Sequence, residues 1–341
     1  MAKIACYFIT KVVPAAVLAL SAQLSPHPAA AQGEPILVYN AQHANLTEAW
    51  AKGFTSETGI KAIIRNGGDS ELGNQIIQEG SASPADVFLT ENSPAMVLVD
   101  RAGLFAPLHR EILSQVAEPF RPAGGRWVGV AARTTVFAYN KNKLIPAQLP
   151  RSLLDLADPA WKGRWGASPA GADFQAIVGA LLELKGEAVA ASWLKAMKQN
   201  VVPFRGNVAA LKAVNSGEIE GAVIYHYYYF GDQARTGENS KNTALHYFRN
   251  QDPGAFVSVS GGGVLASSKH PAEGQTFLKW VTGKSGQEIL RNGDAHEYAV
   301  GVGAQSNAKL VPLADLQAPA VNPSNLNSKK VIDLMLQAGL L

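Results

Sequence analysis

Tyr227 and Tyr228 stand side by side in VIYHYYYF (223–230), which packs four tyrosines and a histidine into eight positions of a chain that is only 8% aromatic. A strand that needed bulk alone could use Phe, Ile or Val. A buried Tyr brings a phenol oxygen that has to find a partner. Two more residues with ligand chemistry follow β-type runs: His43 after PILVYN (35–40) and Glu91 after DVFLT (86–90). Ligands of open α/β sheets gather beyond the carboxyl ends of strands. The four residues therefore converge if two α/β halves face each other across a cleft. The set lacks the sulfur that suits Cu(I) and the several carboxylates and waters that suit Mg²⁺. A phenol, with a pKa of about 10, becomes a good ligand only when a strong cation displaces its proton. Ionised Tyr227, Tyr228 and Glu91 carry three negative charges while His43 stays neutral, a total that matches ferric iron.

The elements that must position these residues alternate. After the PILVYN strand, NLTEAWAKGFTSETG (45–59) predicts a helix, with Leu46, Trp50 and Phe54 recurring every fourth position and Gly59 as its stop. KAIIR (61–65) reads as a strand, SELGNQIIQEG (70–80) as a helix and DVFLT as the next strand. Strands separated by helices predict a parallel, doubly wound α/β sheet. The alternation resumes with FQAIVGALLELKG and AVAASWLKAMKQ as two helices, VAALKAVNSG as a third, and EGAVIYH as a buried strand that carries the tyrosines at its end. On that strand alternation turns His226 away from the site. GAFVSVSGGGVLAS (254–267) reads as β structure that breaks at Gly261–Gly263. PAEGQTFLKWVTG and SKKVIDLMLQAG close the chain as helices. With no floppy linker, the chain is expected to cross between lobes on TTVFAYN (134–140) and AFVSVSG (255–261), an arrangement that can hinge.

The first 31 residues read as a secretory signal: Lys3 and Lys11, an apolar run, then small residues at Ala29 and Ala31 before Gln32. Cleavage near Ala31–Gln32 removes the only cysteine, Cys6, and with it any disulfide or thiolate metal site. It also lowers Lys+Arg from 30 to 28 against 27 acids, so the net charge falls from +3 to +1. No concentrated basic patch points to nucleic acid or to a membrane surface. No later stretch is long and apolar enough to span a bilayer. An exported chain with neither anchor nor disulfide is expected in a bacterial periplasm.

Taken together the motifs resemble those of the periplasmic ferric-ion-binding proteins of bacterial iron ABC transporters, the bacterial transferrins. The resemblance rests on VYNAQHANLTEAW, ADVFLTEN and GEIEGAVIYHYYYF, with ARTTVFAYNKNKL, LLDLADPAWKGRWG, ELKGEAVAASWLKAMK and RNQDPGAFVSVSGGGVLASS between and after them. It spans nearly the whole chain after the signal. It implies a two-lobed, type II, transferrin-like binding protein, each lobe a doubly wound sheet, hinged on crossing β-strands. The lobes are expected at 32–135 with 258–308 and at 136–257 with 309–341. It also implies His43, Glu91, Tyr227 and Tyr228 as ligands of a transported Fe³⁺, with carbonate or phosphate as a candidate synergistic anion. The expected partners are an inner-membrane permease and its ATPase, and the expected state is a monomer without a membrane anchor. Asn207 matches an anion contact of the family, whereas Tyr225 stands where an Asn is usual. SPAGADF departs from the family's anion turn, and Asp173 there would compete with an anion for the helix amides. Tyr225 and Tyr139 are candidates for a further ligand, and Arg133 for a cation behind the phenolates.

Two other functions compete. The same architecture could take a small organic cation of thiamine or polyamine type, stacked on ring faces, or an oxyanion. An exported hydrolase could use Glu91 with a second carboxylate. The chain carries no H-E-x-x-H, no G-x-S-x-G and no P-loop, so no catalytic activity is expected.

Overall fold

The expected strand–helix alternation is present from residue 36 onward. In the computed structural model, residues 1–3, 5 and 33–341 are described; the expected signal segment and its cleavage point fall outside them, apart from residues 1–3 and 5. Strand β1 (Ile36–Asn40) leads into α1 (Ala44–Thr58), whose buried Leu46, Trp50 and Phe54 form the predicted stripe. Gly59 ends it in the left-handed conformation (φ 76°), donating to the Thr55 carbonyl. Strand β2 (Ala62–Asn66), α2 (Asp69–Glu79), β3 (Val87–Leu89), α3 (Ser93–Arg101) and α4 (Arg110–Ser114) follow. Strands β1, β2 and β3 pair in parallel, as connections through helices require.

The long β4 (Val128–Asn140) is buried on both faces for almost its whole length. Beyond it come β5 (Trp165–Ala167), α5 (Ala172–Met197), β6 (Val201–Pro203), α6 (Asn207–Ser216) and β7 (Gly221–Tyr225). Helix α5 is two helices joined at a non-helical Gly186 (φ 79°), as the two separate sequence runs predicted. Strands β5, β6 and β7 form a second parallel set. Helix α7 (His226–Arg235), β8 (Thr243–His246), β9 (Val257–Val264), α8 (Pro271–Thr282), α9 (Lys284–Asn292) and α10 (Ser328–Gln337) complete the fold.

Among the described residues all nine strands join one sheet, ordered β2-β1-β3-β9-β4-β7-β5-β6 with β8 beside β4. The two crossing strands hold its centre. Residues 128–134 of β4 pair with β9, and residues 135–140 pair with β7 and β8, so β4 passes from one set to the other at Thr134–Thr135. Strand β9 runs from Thr134 back to β3. Separate apolar cores lie on either side: Trp50, Phe54, Val130 and Phe277 in one, Phe137, Trp165, Phe174 and Trp193 in the other. Leu310 and Leu316 pack into the first core, and Val331, Leu334 and Met335 into the second.

Two expectations need correction. Strand β9 does not break at Gly261–Gly263 but runs through them, paired on both sides. A Cβ at these positions would sit 2.3 Å from Met96 Cγ, 2.8 Å from Leu278 Cδ2 and 2.6 Å from Phe105 Cε1. These glycines make room for side chains that pack flat on the strand. The tyrosine cluster, in turn, does not lie on a strand: β7 stops at Tyr225, and His226, Tyr227 and Tyr228 form the first turn of α7. His226 is fully buried, with Nδ1 accepting from the Thr134 amide at 3.2 Å. It turns from Tyr227 through helical rotation, not strand alternation.

Candidate functional site

Each of the four ligand candidates, His43, Glu91, Tyr227 and Tyr228, sits where a strand gives way to a helix. His43 is the N-cap residue of α1, two residues beyond Ala41, and its amide donates to the Gln42 side chain at 2.7 Å. Glu91 lies between β3 and α3. Its turn is shaped by Asp69, the first residue of α2, whose carboxylate accepts the amides of Glu91 (2.9 Å) and Asn92 (3.0 Å). Tyr227 and Tyr228 project from the start of α7 with ring centroids 4.3 Å apart.

These four residues converge from both halves of the sheet. The Tyr227 hydroxyl bonds Glu91 Oε1, and the His43 ring meets the Tyr227 ring edge-on at 4.7 Å. His43 Nε2 is 3.8 Å from Glu91 Oε1. Asp173, in the first turn of α5, completes the cluster. Its Oδ2 lies 2.9 Å from the Tyr228 hydroxyl, 3.2 Å from that of Tyr227 and 2.7 Å from Asn207 Nδ2. Its Oδ1 accepts from Asn92 Nδ2 at 3.0 Å. The sequence pointed to Asp173 as a rival of an anion for backbone amides; the structure instead puts its carboxylate against both phenols.

The other candidates divide. Tyr225 is buried behind the pair, with its hydroxyl turned to Asn92 Oδ1 (3.3 Å) and the Asp173 carbonyl (3.4 Å). Arg133 is fully buried on β4, its guanidinium carbon 5.9 Å from the Tyr227 ring centre and 6.0 Å from that of Tyr225. Asn207 meets Asp173. Tyr139 is the exception. It pairs with Gly221 while Thr135 pairs with Tyr225, so it lies four residues down β4 from the tyrosine end of the sheet, about 13 Å along the strand. The structure removes it from the candidate set.

Sequence reasoning missed Glu297. It lies in GDAHEYAV, in a segment tied to β4 by a single bridge between Ala132 and Tyr298. Its carboxylate is fully buried, 2.8 Å from Arg133 Nη2 and 2.9 Å from His43 Nε2. The same run carries Asp294 and His296, so nothing local singles out Glu297.

The electrostatics follow from burial. Burial first, and then the charges of Asp173 and Glu91, push the Tyr227 and Tyr228 phenols well above their usual value. Burial and the Asp173 charge push Glu91 up to about 7, against the pull of Arg133, His43 and the Tyr227 hydrogen bond. Burial alone would lower His43, but contact with Glu297 and the Glu91 charge outweigh it and raise its pKa. Such a site keeps its phenol protons until a cation takes their place. Among the described residues, no three of His, Cys, Asp and Glu converge as a metal-holding group by themselves. Any metal chemistry here depends on the phenol oxygens. A cavity of about 300 Å³ shares Asp69 and Asn92 with the cluster but is not lined by the tyrosine pair. Among the described residues no helix is long and apolar enough to cross a membrane.

Comparison with known proteins agrees with this architecture. The chain is 65% identical over 334 residues to the Fe(3+)-binding periplasmic protein of Serratia marcescens, covering 98% of this chain and 99% of that one. It is 37% identical over 308 residues to the major ferric iron-binding protein of Neisseria meningitidis serogroup B, covering 89% and 93%. Its fold superposes on iron-bound HitA from Pseudomonas aeruginosa with a TM-score of 0.85 and 42% identity, covering 89% of this chain and 99% of that structure. The fold is that of the two-lobed type II periplasmic binding proteins, a mixed sheet with helices. Residues 82–324 match the bacterial extracellular solute-binding proteins, and the chain belongs to that family.

Proposed function

We propose that the protein captures ferric iron between its lobes and delivers it to an inner-membrane ABC permease driven by its ATPase. His43, Glu91, Tyr227 and Tyr228 are the ligands in this reading. The lobes comprise 32–135 with 258–308 and 136–257 with 309–341, with Leu310 and Leu316 reaching back onto the first core. One observation carries the proposal: the two neighbouring phenol hydroxyls, from one half of the sheet, bond the Glu91 and Asp173 carboxylates, and the His43 imidazole lies 3.8 Å from Glu91 on the other half. Phenolate and carboxylate oxygens are hard donors, and a trivalent cation repays the loss of two phenol protons better than a divalent one. The names of the Serratia and Neisseria relatives, as ferric-binding proteins, support the same cargo.

The Asp173 carboxylate, already against both phenols, supports a site that completes its shell from the chain. A synergistic carbonate or phosphate then has little left to do. Direct contacts among these oxygens also favour a single ion over a thiamine- or polyamine-sized cation, which would need ring faces separated by a slot. The protein acts as a monomeric periplasmic carrier released from its signal at Ala31–Gln32. It performs no bond chemistry and binds no nucleic acid.

The test is a titration of the mature, metal-free chain with ferric citrate in buffer stripped of phosphate and carbonate. An orange to red absorption from phenolate-to-iron charge transfer, saturating at one iron per chain, is expected. A colourless protein that leaves the ferric citrate untouched would return the organic-cation reading to the front.

A further inference from the structure

Glu297 is held by more of the chain than a charge partner requires. Tyr298 exchanges both backbone hydrogen bonds with Ala132, at 2.8 and 3.0 Å, and its hydroxyl donates to the Val311 carbonyl at 2.8 Å. The amides of Val300 and Gly301 both donate to Gln287 Oε1, at 2.8 and 3.0 Å. On the other side His296 is buried with φ 53°, a left-handed conformation that a non-glycine residue keeps only where its surroundings enforce it. Glu297 therefore has little freedom.

Its two oxygens are used differently. Oε2 accepts from Arg133 Nη2 at 2.8 Å and lies 3.3 Å from Gln42 Nε2. Oε1 lies 2.9 Å from His43 Nε2, yet neither atom has an aligned hydrogen bond. Arg133 Nε and Nη1 also have no hydrogen-bond partner. Arg–carboxylate pairs are frequently fork to fork, with both oxygens on the guanidinium. Here one oxygen is withheld from the arginine and set beside the imidazole.

We propose that Glu297 is a positioning residue for iron capture: anchored by Arg133, it holds the His43 imidazole edge-on to Tyr227 and beside Glu91 before the cation arrives. This rests on His43 being an iron ligand. Groups behind a metal ligand usually act by fixing the ring, and their loss costs about 10–100-fold in metal affinity.

The test is a double-mutant cycle on ferric affinity, measured by citrate competition, over wild type, Glu297→Gln, His43→Ala and the double variant. Glu297→Gln is expected to lose about 10–100-fold in the wild-type background and less than about threefold once His43 is gone. Equal losses in both backgrounds would reduce Glu297 to a structural or general electrostatic part and overturn the proposal. An unchanged affinity and colour in His43→Ala would instead sink the ligand reading itself. Glu297→Asp separates charge from reach, since it keeps a carboxylate for Arg133 but draws the oxygen back by one methylene. It should fold like wild type and still lose affinity; full affinity in this variant would also overturn the proposal. A readout without iron completes the test. NMR of the metal-free wild type should find one ordered His43 ring, and the Glu297→Asp ring should be mobile. Equal order in both would count against positioning.

Discussion

Two carboxylates, Glu297 fully buried and Glu91 partly exposed, flank His43 and behave in opposite ways. Glu297, behind the ring, is held down at about 2: burial would raise it, but the Arg133 charge and the contact with His43 outweigh burial. Glu91, in front, is pushed up to about 7 by burial and by Asp173. The difference is a resident cation. Behind His43, charge is closed within the chain by a fully buried pair. In front, Glu91, Asp173, Tyr227 and Tyr228 crowd their oxygens together with no guanidinium or ammonium bonded to them among the contacts described. Only the front is incomplete without a positive charge from outside, and this asymmetry marks the capture face.

The sharpest way to break the comparison is to take oxygen from the front. Tyr227→Phe or Tyr228→Phe removes one partner of a largely buried contact to a carboxylate, a loss of about 3–5 kcal/mol, or about 10²-fold to 4 × 10³-fold in ferric affinity. The colour of the loaded protein should fade with it in visible spectra. A variant that binds as wild type would mean that the phenols serve only to pack. Next comes Asp173→Ala, which withdraws charge-assisted contacts worth about 1.5–3 kcal/mol. In anion-free buffer it should bind iron about 10–100-fold more weakly, and added phosphate should recover much of that. A variant indifferent to phosphate would show that Asp173 does not stand in for an anion.

The pH response should then divide metal-free from loaded protein. Asp69, buried under the Glu91 turn, is pushed up to about 8 by burial and by the Glu91 charge. A carboxyl whose folded pKa is raised adds stability that is complete below its unfolded value and is lost as pH rises through the folded one. Glu91 has the same sign. Glu297 is ionised in both states near neutrality and contributes no slope there. Between about pH 9 and pH 6 the melting temperature of metal-free protein should rise as pH falls, by about 2–4 °C for each kcal/mol gained. Asp69→Asn should flatten that slope in a calorimetric series. Iron retention should run the other way, weakening with acid as protons compete for phenolate and imidazole. Parallel trends in the two forms would contradict a front face that lacks a cation.

Much of this site was legible because its residue types are unusual for their positions. A phenol pair, a histidine and a glutamate after β-type runs are costly unless they do chemistry, and the sheet order brings those ends together. The α/β alternation and the division of α5 at Gly186 were also legible, since hydrophobic period and glycine are local signals. What stayed hidden depended on tertiary contacts. Tyr favours strands, yet α7 begins at His226, where the turn out of β7 aims Tyr227 and Tyr228 at Asp173. The glycines of β9 read as a break because Met96, Leu278 and Phe105, the side chains that need their space, come from distant segments. Glu297 carried no motif at all. It reaches the site through one bridge to β4, more than 160 residues away in sequence from its partner Arg133.

Tyr139 gives the smallest effect and the cleanest control. By residue type and strand it was as good a ligand candidate as Tyr225. Register alone separates them, since Thr135 faces Tyr225 whereas Tyr139 faces Gly221. If the front face draws its affinity from oxygens that converge on one point, a phenol about 13 Å along the strand contributes nothing to it. Tyr139→Phe should leave ferric affinity and colour within about twofold, and stability within about 0.5 kcal/mol. It loses the same hydroxyl as Tyr227→Phe from a ring packed at the edge of the second core. A large loss from Tyr139→Phe would mean that ring oxygens act through the field of the whole lobe, and the contrast between front and back would lose its geometric basis.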